Sequence, residues 1–186
     1  ADGTPYLFPS PFPGGQAAIV DFTDPAAVKW WRSRVFELLE TGAVGFMNDF
    51  GEQVEPDMHF ADGTPASVMH NRYPVLQAKV TREAVDAWEK KHSGPQVFFF
   101  QRAGFSGRPG SAAYENGQFP GDETVDWQEG TGLPSIVPDM LNRAVLGSPG
   151  MTVDIGGYAQ FTRESPFLPA TSAELFTRWS QAAALT

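Results

Sequence analysis

Two short apolar runs, each stopped abruptly by polar side chains, most constrain how this chain can fold. Residues 43–47 end at Asn48 and Asp49, and residues 97–100 end at Gln101 and Arg102. An apolar run of this length, bounded by polar residues, reads as a strand buried on both faces, the habit of parallel sheets. Helical patterns separate the runs. Asp24 and Pro25 offer an N-cap carboxylate and a proline for the first helical position, and Val28, Trp31, Val35 and Leu38 then recur at helical spacing. Residues 64–91 read as mostly helical, with Pro74 forcing a break or kink. Further on, residues 118–121 suggest a brief third strand and residues 151–153 a fourth. Residues 133–146 suggest a helix that starts late or bends at Pro138. Residues 172–184 suggest a last helix, capped by Ser172, with Leu175 and Trp179 on one face. Residues 1–16 and 104–120 read as loops. This alternation predicts an α/β fold with about four parallel strands.

Composition removes several classes. Residues 1–186 are 41% hydrophobic, enough for a core, and show no repeat or linker, so they read as one segment. There is no cysteine, which excludes disulfides, thiolate zinc and a cysteine nucleophile. His59, His70 and His92 lie at no metal-ligand spacing, so no metal site is expected. A net charge of −9 repels phosphate backbones, so no nucleic-acid partner is expected. With no apolar run of about eighteen residues and no signal-peptide pattern, no membrane partner is expected and a cytoplasmic location is favoured. No glycine-rich loop of the dinucleotide or P-loop kind is present.

The polar residues at strand ends are the candidates for chemistry. Asp49, Arg102, Asp122 and Asp154 each follow one of the four expected strands. In a β/α barrel the carboxyl ends of the strands form the mouth of the active site, and doubly wound sheets also bind ligands there. Each residue has a plainer reading. Asp49, with Glu52 close behind it, could cap the next turn. Asp122 follows Gly121 in a common turn pair. The segment from Asp154 to Tyr158 could be a tight turn with a core tyrosine, and Arg102 a solvated loop residue. Read together, two separated carboxylates, an arginine and the flat face of Trp127 suggest glycoside chemistry: one carboxylate attacks while the other protonates the leaving oxygen.

Five segments in order resemble glycoside hydrolase family 31, over nearly the whole chain. FMNDFGE (46–52) resembles the nucleophile motif, MHNRYPVLQAK (69–79) the following helix and FFFQRAGFSG (98–107) the strand with a binding arginine. PGDETVDW (120–127) resembles the acid/base motif, and DIGGY (154–158) a later strand end. The resemblance implies a (β/α)8 TIM barrel, of which this chain would supply about four strands and lack the first and last. It implies a retaining double displacement with Asp49 as nucleophile and Asp122 as general acid/base. Glu52 would support the nucleophile, Arg102 would orient Asp122 or hold a sugar hydroxyl, and Asp154 would complete the polar floor. Trp127 would offer a stacking face. A carbohydrate is the implied partner, and no metal or organic cofactor is implied.

Within the family, α-glucosidase-type hydrolysis is the broad expectation and sulfoquinovosidase activity the sharper alternative. The sulfoquinovosidase branch carries tyrosine where many members carry phenylalanine, and uses it in sulfonate recognition. Here that position is Tyr158. Two departures from that branch are a long loop at residues 108–118 and the pair Phe119–Pro120. The rival from another class is a carbohydrate-binding barrel segment without catalysis. Two intact candidate carboxylates argue against it.

Overall fold

The computed structural model describes residues 4–10, 14–94, 96–148, 150–158 and 171–185. The chain divides into two compact units: residues 1–99 with 103–115, and residues 100–102 with 116–186. Strand β4 (Phe98–Gln101) begins in the first and ends in the second.

In the first unit, β1 (Phe8–Pro9) and β2 (Gln16–Ala17) form a two-residue antiparallel pair inside a segment expected to be all loop. Helix α1 (Pro25–Glu40) starts as expected, with the Asp24 carboxylate accepting the Ala26 N–H at 2.8 Å. Its buried face carries Val35 and Leu39, whereas Leu38, the residue expected from spacing, is 39% exposed. One residue turns the face by about 100°, and packing against helix α2 (Ala66–Lys91) selects Leu39. Val35 and Leu39 share a core with Ala84, Val85, Val97 and Phe99. A second core joins Phe22, Val54, Met58, Met69 and Tyr73. Of the break or kink expected at Pro74, the break does not occur: helix α2 runs on through it. Proline removes one ladder hydrogen bond, and burial of its ring among the other apolar residues of that face offsets the loss.

Strand β3 (Gly45–Asn48) lies beside the start of β4, where the Phe98 N–H donates to the Val44 carbonyl at 3.0 Å. Within the described residues taken alone, Val44, Met47 and Phe98 are 58%, 44% and 50% exposed. Only the face bearing Phe46 and Phe99, whose rings stack at 5.6 Å, is packed against the helices.

In the second unit the end of β4 pairs in parallel with β5 (Gly117–Gln118), through Phe100↔Gly117 and Gln101↔Gln118. The loop before β5 contains one 3-10 turn, Ser111–Ala113. The expected fourth strand reduces to a single parallel bridge from Met151 to Gln118, held by two backbone hydrogen bonds of 3.0 and 2.9 Å. Helix α3 (Leu133–Val145) continues through Pro138 without the expected late start. Helix α4 (Ala173–Ala183) is capped by Ser172 and buries Leu175 and Trp179 against Leu133, Ile136 and Val153. The described residues thus form helices and a short sheet with parallel pairing, part of a (β/α) architecture rather than a closed barrel. No helix among them is long and apolar enough to cross a membrane, and no group of three or more His, Cys, Asp or Glu is placed to hold a metal ion.

Candidate active site

The first unit carries Asp49 directly after β3. The chain turns sharply there: Phe50 has φ 61° and Gly51 has φ 112°. A left-handed phenylalanine costs roughly 1–2 kcal/mol, so neighbouring contacts must hold it. The Phe50 N–H donates to Asp49 Oδ1 at 2.8 Å, fixing the carboxylate against its own backbone. Buried Gln77, on α2, donates from Nε2 to Asn48 Oδ1 at 3.2 Å and to the Asp49 carbonyl at 3.3 Å. Asn48 in turn donates to Thr81 Oγ1 at 3.3 Å, as does Trp31 Nε1 at 3.0 Å. Gly51 has no space for a side chain, since a Cβ there would stand 2.2 Å from Gln77 Oε1. Glu52 follows on the exposed side of the turn.

The second unit carries Arg102, Asp122, Trp127, Asp154 and Tyr158. The Phe119 N–H donates to the Gln101 carbonyl at 3.2 Å, carrying the chain past β5 toward Asp122. Arg102 Nη1 stands 3.7 Å from Asp122 Oδ1. Asp122, Glu123, Thr131, Ser135, Asp139 and Asn142 line a cavity of about 440 Å³. Asp139 pairs with Arg143 at 2.7 Å, and Arg143 also donates to Gln118 Oε1 at 2.9 Å. The Asp126 side chain accepts from Thr124 Oγ1 and the Gln128 N–H at 2.9 and 3.0 Å, which fixes the turn that presents Trp127, 50% exposed. Tyr158, also 50% exposed, donates its N–H to the Glu123 carbonyl at 2.8 Å. Gly157 permits this approach. With φ 86°, it would place a Cβ 3.0 Å from the Thr124 carbonyl oxygen and from Val125 Cα.

Sequence reasoning missed Glu123. It is only 5% exposed, and neither carboxyl oxygen has a hydrogen-bond partner among the described residues. Burial, and secondarily the nearby carboxyls of Asp154, Asp122 and Asp139, push its pKa from 4.5 up to about 7. Its protonated form is thus favoured in the folded state. The stability this provides is fully present below pH 4.5 and is lost as pH rises through about 7. The loss amounts to roughly 3 kcal/mol at most. Glu123→Gln, shaped like the protonated acid, should match wild type in thermal midpoint at about pH 4, below the unfolded-state value, and exceed it at about pH 8. Parallel melting curves test this, and a difference independent of pH would remove Glu123 as the titrating group.

Gln77 was also missed, although a signal existed. Tyr73, Gln77 and Thr81 recur every fourth residue on the buried face of α2, so two polar side chains stand where apolar ones are expected. Nothing in sequence distinguished Glu123 from a solvated neighbour of Asp122.

The family model for the "Glycosyl hydrolases family 31 TIM-barrel domain" matches residues 2–186. The chain is 36% identical to a sulfoquinovosidase of Escherichia coli K12, covering 100% of this chain and 26% of that protein. It is 35% identical to a sulfoquinovosidase of Agrobacterium fabrum, covering 90% and 24%. A solved family 31 sulfoquinovosidase from E. rectale, in complex with the aza-sugar inhibitor IFGSQ, superposes with a TM-score of 0.84 at 34% identity, covering 100% of this chain and 26% of that one. The chain therefore spans about a quarter of the length of the relatives it matches. With its family model matched over residues 2–186, this chain belongs to glycoside hydrolase family 31, within the TIM-barrel domain.

Proposed function

We propose that the protein containing this chain is a retaining α-glycosidase, with Asp49 as nucleophile and Asp122 as general acid/base. Asp49 attacks the anomeric carbon while Asp122 gives its proton to the leaving oxygen. Asp122 then takes a proton from the water that cleaves the glycosyl–Asp49 bond. Two inversions at one carbon give net retention. The reading is carried by the Arg102–Asp122 pair, whose Asp122 lines the second unit's cavity. A guanidinium at this distance orients the carboxyl without closing it off from solvent or substrate. Glu52 supports the nucleophile, Asp154 contributes to the polar floor, and Trp127 offers a sugar-stacking face.

The substrate class is α-glucoside-type, and a sulfoquinovoside is the sharper reading within it. Similarity to two sulfoquinovosidases favours the sulfonated sugar. So does Tyr158, whose backbone is tied to Glu123 while its side chain stays half exposed. The test is hydrolysis of 4-nitrophenyl α-sulfoquinovoside beside 4-nitrophenyl α-glucoside by the full-length protein, with the first-formed anomer read by NMR. We expect the α-anomer first, and faster turnover of the sulfoquinovoside. Glucoside turnover alone would leave the mechanism and remove the sulfonate. A β-anomer formed first would overturn retention.

A further inference from the structure

One peptide plane in the first unit carries two hydrogen bonds of different kinds. The carbonyl of Asp49 and the N–H of Phe50 belong to the same planar unit. The carbonyl accepts from Gln77 Nε2 at 3.3 Å, and the N–H donates to Asp49 Oδ1 at 2.8 Å. Whatever fixes the carbonyl therefore fixes the direction of the N–H, and with it the carboxylate that the N–H holds. Gln77 is well placed for this task. It is buried at 4% exposure, its second Nε2 contact is Asn48 Oδ1, and its Oε1 abuts Gly51. The amide group thus touches residues 48, 49 and 51 of one turn. Asn48 is braced from its far side by Thr81, which also accepts from Trp31. The 49–50 peptide leads directly into two consecutive left-handed residues, Phe50 and Gly51, so its direction sets the course of the turn.

We propose that Gln77 is a positioning residue for Asp49: by holding the 49–50 peptide plane from helix α2, it orients the carboxylate for attack. The proposal rests on the reading of Asp49 as nucleophile. It predicts a loss in the chemical step, not in substrate binding, because Gln77 is buried behind the turn.

The test uses the full-length protein and the nitrophenyl glycoside it turns over. Gln77→Met keeps length and removes the amide. It should lower kcat by about ten- to a hundredfold, with KM changed less than about threefold. The same substitution is then made in Asp49→Gly, where azide supplies the nucleophile: its nitrogen bonds to the anomeric carbon as the bond to nitrophenolate breaks. Once attack no longer comes from Asp49, Gln77→Met should leave the azide-dependent rate unchanged within about twofold. Equal losses in both backgrounds would show a merely structural role and overturn the proposal, as would an unchanged kcat in the wild-type background. Absence of azide rescue in Asp49→Gly itself would overturn the nucleophile reading, and the positioning role with it. If Gln77→Met does not fold, Gln77→Glu serves the same cycle. It keeps the shape but sets a carboxylate against the two acceptors, and at neutral pH it should show the same background-dependent loss.

Discussion

Asp49→Gly should lose on the order of 10⁴-fold or more in kcat/KM on every aglycone, since no covalent intermediate can form without the attacking carboxylate. Loss of the fold is not the expected cause. The backbone of residue 49 is held by Gln77 through its carbonyl, a contact that glycine keeps. The Asp49 side chain is also only half-buried, so its removal opens no closed cavity. Azide at high concentration should restore turnover of the nitrophenyl substrate, entering from the face that Asp49 occupied. Because that face is opposite the leaving group, the product is the β-glycosyl azide. Chromatography and NMR of the product decide the matter. Turnover that survives in the variant without azide would assign the nucleophile elsewhere, and an α-azide would contradict attack from the Asp49 side.

How far the sequence could be read depended on how local each cause was. The caps at Asp24 and Ser172 were legible because a side-chain oxygen and the N–H two or three residues later are neighbours in sequence. Leu175 and Trp179 were legible because their spacing and their burial follow one helix face. The identity of the buried residue near the end of α1 was not, because the choice between Leu38 and Leu39 is made by α2, which begins about two dozen residues later. The apolar runs at residues 43–47 and 97–100 showed that both strand faces are apolar, but not what covers them. Pro74 does not break α2, because a missing N–H is a local cost while the burial of its ring is tertiary. The site followed the same rule. Asp49 and Asp122 stood out as carboxylates just past short strands, and Arg102 as a cation in the same situation. Glu123 stood out only after the fold removed it from water, because a sequence of adjacent acids is equally that of a solvated turn.

Asp122→Ala should separate the two carboxylates by leaving group rather than by total loss. A 2,4-dinitrophenyl glycoside needs no proton to depart, so formation of the glycosyl–Asp49 intermediate proceeds at close to the wild-type rate. A methyl or glyceryl glycoside needs that proton and should slow by about 10²–10⁴-fold, the usual scale of general acid catalysis. Water must then attack the intermediate without a base, so the intermediate accumulates and KM for the activated substrate falls. Azide needs no base, and it should release the sugar as the α-glycosyl azide, the anomer opposite to that from Asp49→Gly. Arg102 provides an internal control. In Asp122→Ala it loses the carboxyl that stands 3.7 Å away, so Asp122→Asn, which keeps a neutral oxygen in that place, should show the same leaving-group dependence with smaller structural disturbance. A uniform loss across aglycones in both variants would move the acid/base role away from Asp122, with Glu123 as the next carboxyl to test on the wall of the same cavity.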